Sequence, residues 1–360
     1  MINPYRRSLL AGGLAGLAGI AAWPGQAHAL PARTLVFPRD RGSHPDFRTE
    51  WWYITGHATS SEAVSRSFGF QLTFFRSRID ATQGMASKLA ATQLIFAHAA
   101  ITDVQGAKLW HDQRIARTGF GVASASEQDM AIKLRDWSLK ADGRRYTAEL
   151  PAGDFALRLQ FDETQDVLLQ GNQGLSRKGP EEKQASYYYS QPQLAASGSL
   201  QIKGQNFSVA GKAWLDHEWS QELLHPSAVG WDWIGMNLDD GSALTAFRLR
   251  DKDGNAVWTG GSLRSPKDGL RIFGQGEVSF KPLRSWTSPL TRISYPVEWL
   301  VRISADAYVV KAVLNNQELD SRNSTGSIYW EGLSELLDGQ GRRLGMGYLE
   351  MTGYGQALRL

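Results

Sequence analysis

The 360-residue chain contains no cysteine, which excludes disulfides, thiolate metal sites and a cysteine nucleophile. It also lacks helix-period apolar runs of convincing length after residue 29, so no helical bundle and no transmembrane segment is expected in the mature chain. A dominant charge is missing too: 39 Lys and Arg face 36 Asp and Glu, dispersed along the sequence, which argues against nucleic acid as a partner. There is no Gly-x-Ser-x-Gly elbow, no phosphate-cradling loop ending in Lys, and no dinucleotide fingerprint after a strand. Common serine hydrolases, NTPases and dehydrogenases drop out. His217-Glu218 opens like a zincin helix, but Gln221 stands where the second histidine ligand belongs, so neither a metal nor a cofactor is expected.

What is present begins with an address. Asn3-Pro4-Tyr5-Arg6-Arg7-Ser8-Leu9-Leu10 leads into a Gly/Ala/Leu-rich stretch that ends in Ala27-His28-Ala29, the layout of a signal peptide over residues 1–29. The arginine pair before a mildly apolar core resembles a twin-arginine signal, with an ordinary secretory signal as the alternative. A periplasmic or secreted protein starting near Leu30 is expected. Losing Arg6 and Arg7 takes the formal charge from +3 to +1.

The mature part reads as strands and turns, with 37 glycines and 13 tryptophans. Alternating apolar positions mark Glu50–His57, Phe68–Phe75 and Thr92–Thr102, and Asp142-Gly143 predicts a hairpin between Ile132–Lys140 and Arg145–Leu150. Phe155–Phe161 follows, then a polar loop over Gly171–Ser186, then Tyr187–Ser190. Ser199–Lys203 pairs with Phe207–Asp216. Beyond a Pro226-containing seam at Gln221–Ser227, Ser242–Arg250 pairs with Ala256–Leu263 around Asp253-Gly254. Leu270–Phe280, Val297–Ile303, Tyr308–Leu314, Ser327–Gly332 and Gly345–Thr352 complete the series. The fold class expected is all-β, with two antiparallel barrels or sandwiches over residues 30–220 and 221–360.

The chemical centre is expected in Trp214-Leu215-Asp216-His217-Glu218-Trp219-Ser220. On a strand, Trp214, Asp216 and Glu218 share one face and Leu215, His217 and Trp219 the other. Asp216 and Glu218 then lie roughly 6.5–7 Å apart, close enough to share a proton, while His217 beside Trp219 offers a proton donor next to a π-face. A buried polar network closing the seam is the structural alternative. Similar acid–aromatic sets recur at Glu50-Trp51-Trp52-Tyr53, Gly230-Trp231-Asp232-Trp233 and Tyr329-Trp330-Glu331. With His98 and Tyr188 they outline an aromatic cavity whose expected ligand contacts are Glu50, Trp52, His98, Tyr188, Trp231, Trp233, Trp330 and Glu331.

Thr49–Tyr53, Phe68–Phe75, Ala185–Ser190, Trp214–Ser220, Gly230–Trp233 and Gly347–Tyr354 resemble the AttH-like family and its superfamily of carotenoid 1,2-hydratases (hydroxyneurosporene synthases), kievitone hydratase and lipocalin-like Diels–Alderases. The resemblance runs from about Arg39 to the C-terminus. It implies two lipocalin-like barrels side by side, with a hydrophobic ligand site near their junction. In the hydratases a His-x-Trp pair is implicated, which His217-Glu218-Trp219 matches in form; their Tyr-x-Asp pair has no counterpart here. The resemblance modestly favours His217 and Trp219 as the cavity face.

The function expected is therefore an exported, cofactor-independent hydratase or hydrolase-like enzyme acting on a lipophilic unsaturated substrate, isoprenoid- or polyketide-like. Asp216 or His217 would give the proton, Trp219 would steady the cation, and Glu218 or Asp232 would activate water. The alternative is a non-catalytic carrier of a lipid or hydrophobic metabolite, serving an envelope ABC transporter.

Overall fold

The computed structural model describes residues 29–358; the expected signal peptide lies almost wholly outside them. Two antiparallel sheets account for the architecture, as an all-β, two-barrel fold requires. The first holds β1 (Thr49–Ser60), β2 (Ser67–Arg78), β3 (Gln93–Asp103), β4 (Lys108–Arg117), β5 (Ala123–Ala125), β6 (Ala131–Leu134), β7 (Trp137–Asp142), β8 (Arg145–Pro151), β9 (Phe155–Asp162), β10 (Leu168–Leu169), β11 (Leu175–Arg177), β12 (Ala185–Ile202) and β13 (Gln205–Glu222). The second holds β14 (Gly230–Leu238), β15 (Ala243–Arg250), β16 (Ala256–Ser265), β17 (Gly269–Phe273), β18 (Val278–Thr287), β19 (Ser294–Ile303), β20 (Asp306–Ala312), β21 (Glu318–Ser321), β22 (Ser327–Leu337) and β23 (Arg343–Met351). No helix among the described residues is long and apolar enough to cross a membrane.

The first sheet runs β4-β3-β2-β1-β13-β12-β9-β8-β7-β6-β5, and the second β17-β16-β15-β14-β23-β22-β20-β19-β18. Their two ends curl toward each other around separate cores. One core gathers Trp52, Phe70, Phe74, Trp137, Leu157 and Trp219, the other Ile234, Trp299, Val301, Trp330 and Leu349. A third cluster, with Tyr53, Trp214, Trp233, Phe247 and Tyr348, lies where the sheets meet. Gln193 ties the sheets there, its backbone N–H donating to Asn237 Oδ1 at 2.8 Å and its amide to Leu238 O and Ser242 O. It can do so because a bulge between Gln191 and Leu194 turns it out of the ladder.

Four expected elements come out differently. Ile132–Lys140 is two strands, split at Arg135, whose φ is 58°. Leu270–Phe280 is likewise split, at a turn where Gly276 takes φ 86°. Ser199–Lys203 is not a separate strand but the far end of β12, an 18-residue strand that begins at Ala185 and pairs with β13 throughout. The loop at 171–184 is shorter than expected, since Leu175–Arg177 pairs with β12.

Candidate functional site

Strand alternation sorts the central stretch as its sequence requires. Leu215, His217 and Trp219 enter the core of the first sheet, whereas Asp216 and Glu218 face the second sheet across a cavity of about 250 Å³. Register then builds the cavity wall in rows. Phe96, Phe75, Trp51, Glu218 and Tyr188 are neighbours across five strands, and His98, Thr73, Tyr53, Asp216 and Ser190 form the next row. From the second sheet, Phe247, Trp233, Glu350 and Glu331 make a facing row on four adjacent strands.

The cavity thus holds four carboxylates inside aromatic walls. Asp216 accepts hydrogen bonds from Tyr188 Oη, Ser190 Oγ and Trp214 Nε1, each at 2.6 Å. Burial raises its pKa to about 7, helped by the Glu218 charge and opposed by those three donors. Burial also raises Glu350 to about 7; Trp231 opposes, and the charges of Asp216 and Glu218 add to the rise. Glu331 sits opposite Glu350 in the ladder, and burial together with that neighbour's charge holds it well above the ordinary carboxylate range. Gln71 Nε2 donates to Glu331 Oε2 at 2.8 Å, while Oε1 has no partner. The Tyr53 hydroxyl lies beside Glu331 and makes no hydrogen bond of regular geometry.

Lys178 supplies the positive charge. Its Nζ is 3.0 Å from Glu218 Oε1, which also accepts from Ser186 Oγ. His98 stays neutral: burial pushes its pKa down to about 3, and its ring nitrogens lie 2.8 Å from Tyr329 Oη and Ser324 Oγ.

Of the expected residues, Asp216, Glu218, His98, Tyr188, Trp231, Trp233 and Glu331 line the cavity. Glu50 borders it, but its carboxylate turns the other way. There it meets His44 Nδ1 at 2.7 Å, His217 Nε2 at 3.0 Å and Arg76 Nε at 2.7 Å. Burial opposes ionisation of Glu50, yet the two histidines and Arg76 hold its pKa well below the usual range. Burial lowers His217 to about 4 against the pull of Glu50. His44, Glu50 and His217 are close enough to surround a cation, but Arg76 and Asp40 already complete their hydrogen bonds, which makes the trio an ion-pair network.

His217, Trp219 and Trp52 therefore belong to the first core, not to the cavity: ring stacking of His44 on Trp219 at 3.8 Å and Trp52 on His217 at 4.8 Å fills that space. The face favoured by the family resemblance is the other one. Asp232 is also turned away, because its neighbours Trp231 and Trp233 take the cavity face; it pairs with Arg248 at 2.7 Å and Arg250 at 3.4 Å and accepts from Tyr354. Trp330 enters the second core and donates to Asn315 O.

Sequence reasoning missed Glu350, Tyr53 and Lys178 as site residues. Glu350 stands within the Gly347–Tyr354 segment, and Tyr53 beside Trp52, so both carried a signal. Lys178, in a polar loop, carried none.

The sequence pattern of the AttH-like family matches residues 28–354. The AttH candidate of Nitrosomonas europaea is 43% identical, covers 91% of this chain and 99% of its own, and superposes with a TM-score of 0.84. Kievitone hydratase from Nectria haematococca shares the fold at 13% identity, with a TM-score of 0.69 and coverage of 90% and 94%. CghA does so at 12% identity, TM-score 0.54, with coverage of 92% and 96%. No curated protein sequence matches the chain. With its own family pattern matched nearly end to end, the chain belongs to the AttH-like family.

Proposed function

We propose that the chain is a cofactor-independent, hydratase-like enzyme that protonates a C=C bond of a lipophilic substrate and adds water to it. The observation that carries this reading is the burial of Asp216, Glu331 and Glu350 together inside an aromatic cavity, which raises the pKa of all three. At neutral pH the Glu331–Glu350 pair holds at least one proton and can give it to an alkene carbon. The rings of Trp231 and Trp233 stabilise the carbocation so formed. Water attacks the cation, and Asp216, once ionised, accepts the proton that the water loses. Asp216 then releases its proton to solvent and the Glu331–Glu350 pair takes one up, so atoms and charge balance over the cycle.

The likeness in fold to kievitone hydratase supports the reaction class by analogy only. Export through the leader fits a substrate met outside the cytoplasm, and a transporter partner belongs to the carrier reading. That second reading is favoured by the apolar remainder of the wall, including Leu223, Leu249 and Phe96.

The test is turnover of a panel of terpenoid and polyene alkenes in isotopically labelled water, read by mass. Wild-type protein is expected to add one labelled water to at least one alkene, and Glu331→Gln to lose about 10²-fold or more of the rate while still binding it. Binding without any labelled product across the panel overturns the enzyme in favour of the carrier.

A further inference from the structure

Lys178 and Glu218 are charged groups of the cavity wall that the hydration chemistry does not use. The position of Lys178 is tightly built. The backbone N–H donates to Gln184 O at 2.7 Å, and the side chain of Gln184, wholly buried, fills the turn so closely that a Cβ on Gly179 would collide with it. The turn delivers the ammonium to the junction, 4.6 Å from the ring centre of Tyr188 on the first sheet and 4.3 Å from that of Phe247 on the second. The side chain is only 7% exposed and lines the cavity.

A buried ammonium has three N–H donors to satisfy. Glu218 Oε1 is its one carboxylate partner among the described residues. That same oxygen takes the Ser186 hydroxyl, while Glu218 Oε2 has no hydrogen bond among the described residues. Side by side, then, stand cationic donors and an anionic acceptor, both open to an apolar, ring-walled space. A hydroxyl group satisfies both at once: its oxygen accepts from Nζ, and its O–H donates to Oε2. A hydrocarbon satisfies neither, and an ether or ketone only the first. A carboxylate meets the ammonium but adds negative charge to a cavity that already holds four carboxyl groups.

We propose that Lys178 and Glu218 form a hydroxyl-recognition subsite, so that the ligand is an alcohol or phenol on an otherwise apolar skeleton. This rests on the cavity being the binding site, and it deepens the substrate class without depending on the catalytic roles. Both partners are recognition groups here, distinct from the acid–base set of Asp216, Glu331 and Glu350.

The test uses four probes of one carbon skeleton or close to it: geraniol, geranyl methyl ether, geranic acid and the hydrocarbon myrcene, titrated against tryptophan fluorescence at pH 8. Wild-type protein is expected to bind geraniol about tenfold or more tighter than myrcene, with the ether between them and geranic acid weaker than geraniol. Because Lys178→Met alone leaves Glu218 buried without its cation and destabilises the fold, the decisive variant is the double change K178M/E218L, which replaces the pair by apolar side chains. It is expected to melt near the wild-type temperature, to keep its affinity for myrcene, and to lose the preference for geraniol. Equal affinity of wild type for geraniol and myrcene, or a geraniol preference that survives the double change, overturns the subsite. If either happens while Glu331-dependent water addition persists, the hydratase reading stands alone. If the subsite holds and no alkene is ever hydrated, the ligand class stands and the enzyme reading falls.

Discussion

At the residue scale the molecule separates two clusters of ionisable groups by the thickness of one strand. Asp216 and Glu350 have pKa values raised to about 7, against unfolded values of about 3.9 and 4.3 for Asp and Glu. A raised carboxyl pKa means the folded state binds the proton more tightly, so the stability these groups contribute is complete below about pH 4 and is lost as pH rises through about 7. Glu350→Gln removes one such titration. Its melting temperature relative to wild type is expected to be higher at pH 8 than at pH 5; the same difference at both pH values would show that Glu350 titrates normally. If Asp216 is the base, turnover is expected to rise with pH through about 7, and Asp216→Asn to abolish that limb. The face sorting of Asp216 and His217 was legible in the sequence, since strand period fixes it. Which face meets the cavity was not, because both faces are apolar and both carry acid beside tryptophan. Glu350 lies in a segment that the sequence marks, but only register between strands sets it opposite Glu331, and Lys178 reaches the site through a loop closed by Gln184, which leaves no local pattern.

At the scale of elements, residues 30–48 ahead of β1 pack into the first core, with Leu35 buried there and Leu30 and Phe47 against it. Asp40 and His44 extend the Glu50–His217–Arg76 network, and Trp52 Nε1 donates to Arg41 O at 3.0 Å. Breaking a buried ion pair by removing one charge costs about 3–5 kcal/mol. Glu50→Gln is therefore expected to lower stability by that order and to open residues 30–48 to protease, with little change in ligand affinity; an equal loss of ligand affinity in the folded variant would instead tie Glu50 to the cavity. Gly235 works differently. A Cβ there would meet the Trp233 ring at 2.3 Å, so Gly235→Ala is expected to push that ring into the cavity and weaken binding several-fold. Strands with clean alternation, such as Phe68–Phe75 and Phe155–Phe161, were readable from sequence. The splits at Arg135 and Gly276 were not, because an apolar run looks continuous until a residue with positive φ breaks the ladder between its two halves.

For the whole molecule, the all-β, two-barrel plan followed from short strands, frequent turns and the absence of helical periodicity, and the change of sheet falls between Glu222 and Gly230. Placing carboxylates from both sheets in one cavity makes the junction the chemical centre. That arrangement raises pKa values only because each barrel shields the other's acids from water. The claim on which this rests is that Glu331 is neutral in the folded protein at a pH where ordinary carboxyls are ionised. Infrared difference spectroscopy at pH 8.5, comparing wild type with Glu331→Gln, reads it directly without any ligand. At that pH Asp216 and Glu350 are ionised, so a protonated-carboxyl C=O band is expected in wild type, shifted in D2O and missing from Glu331→Gln. A wild-type spectrum without that band, or a band that survives the substitution, contradicts a proton held at Glu331.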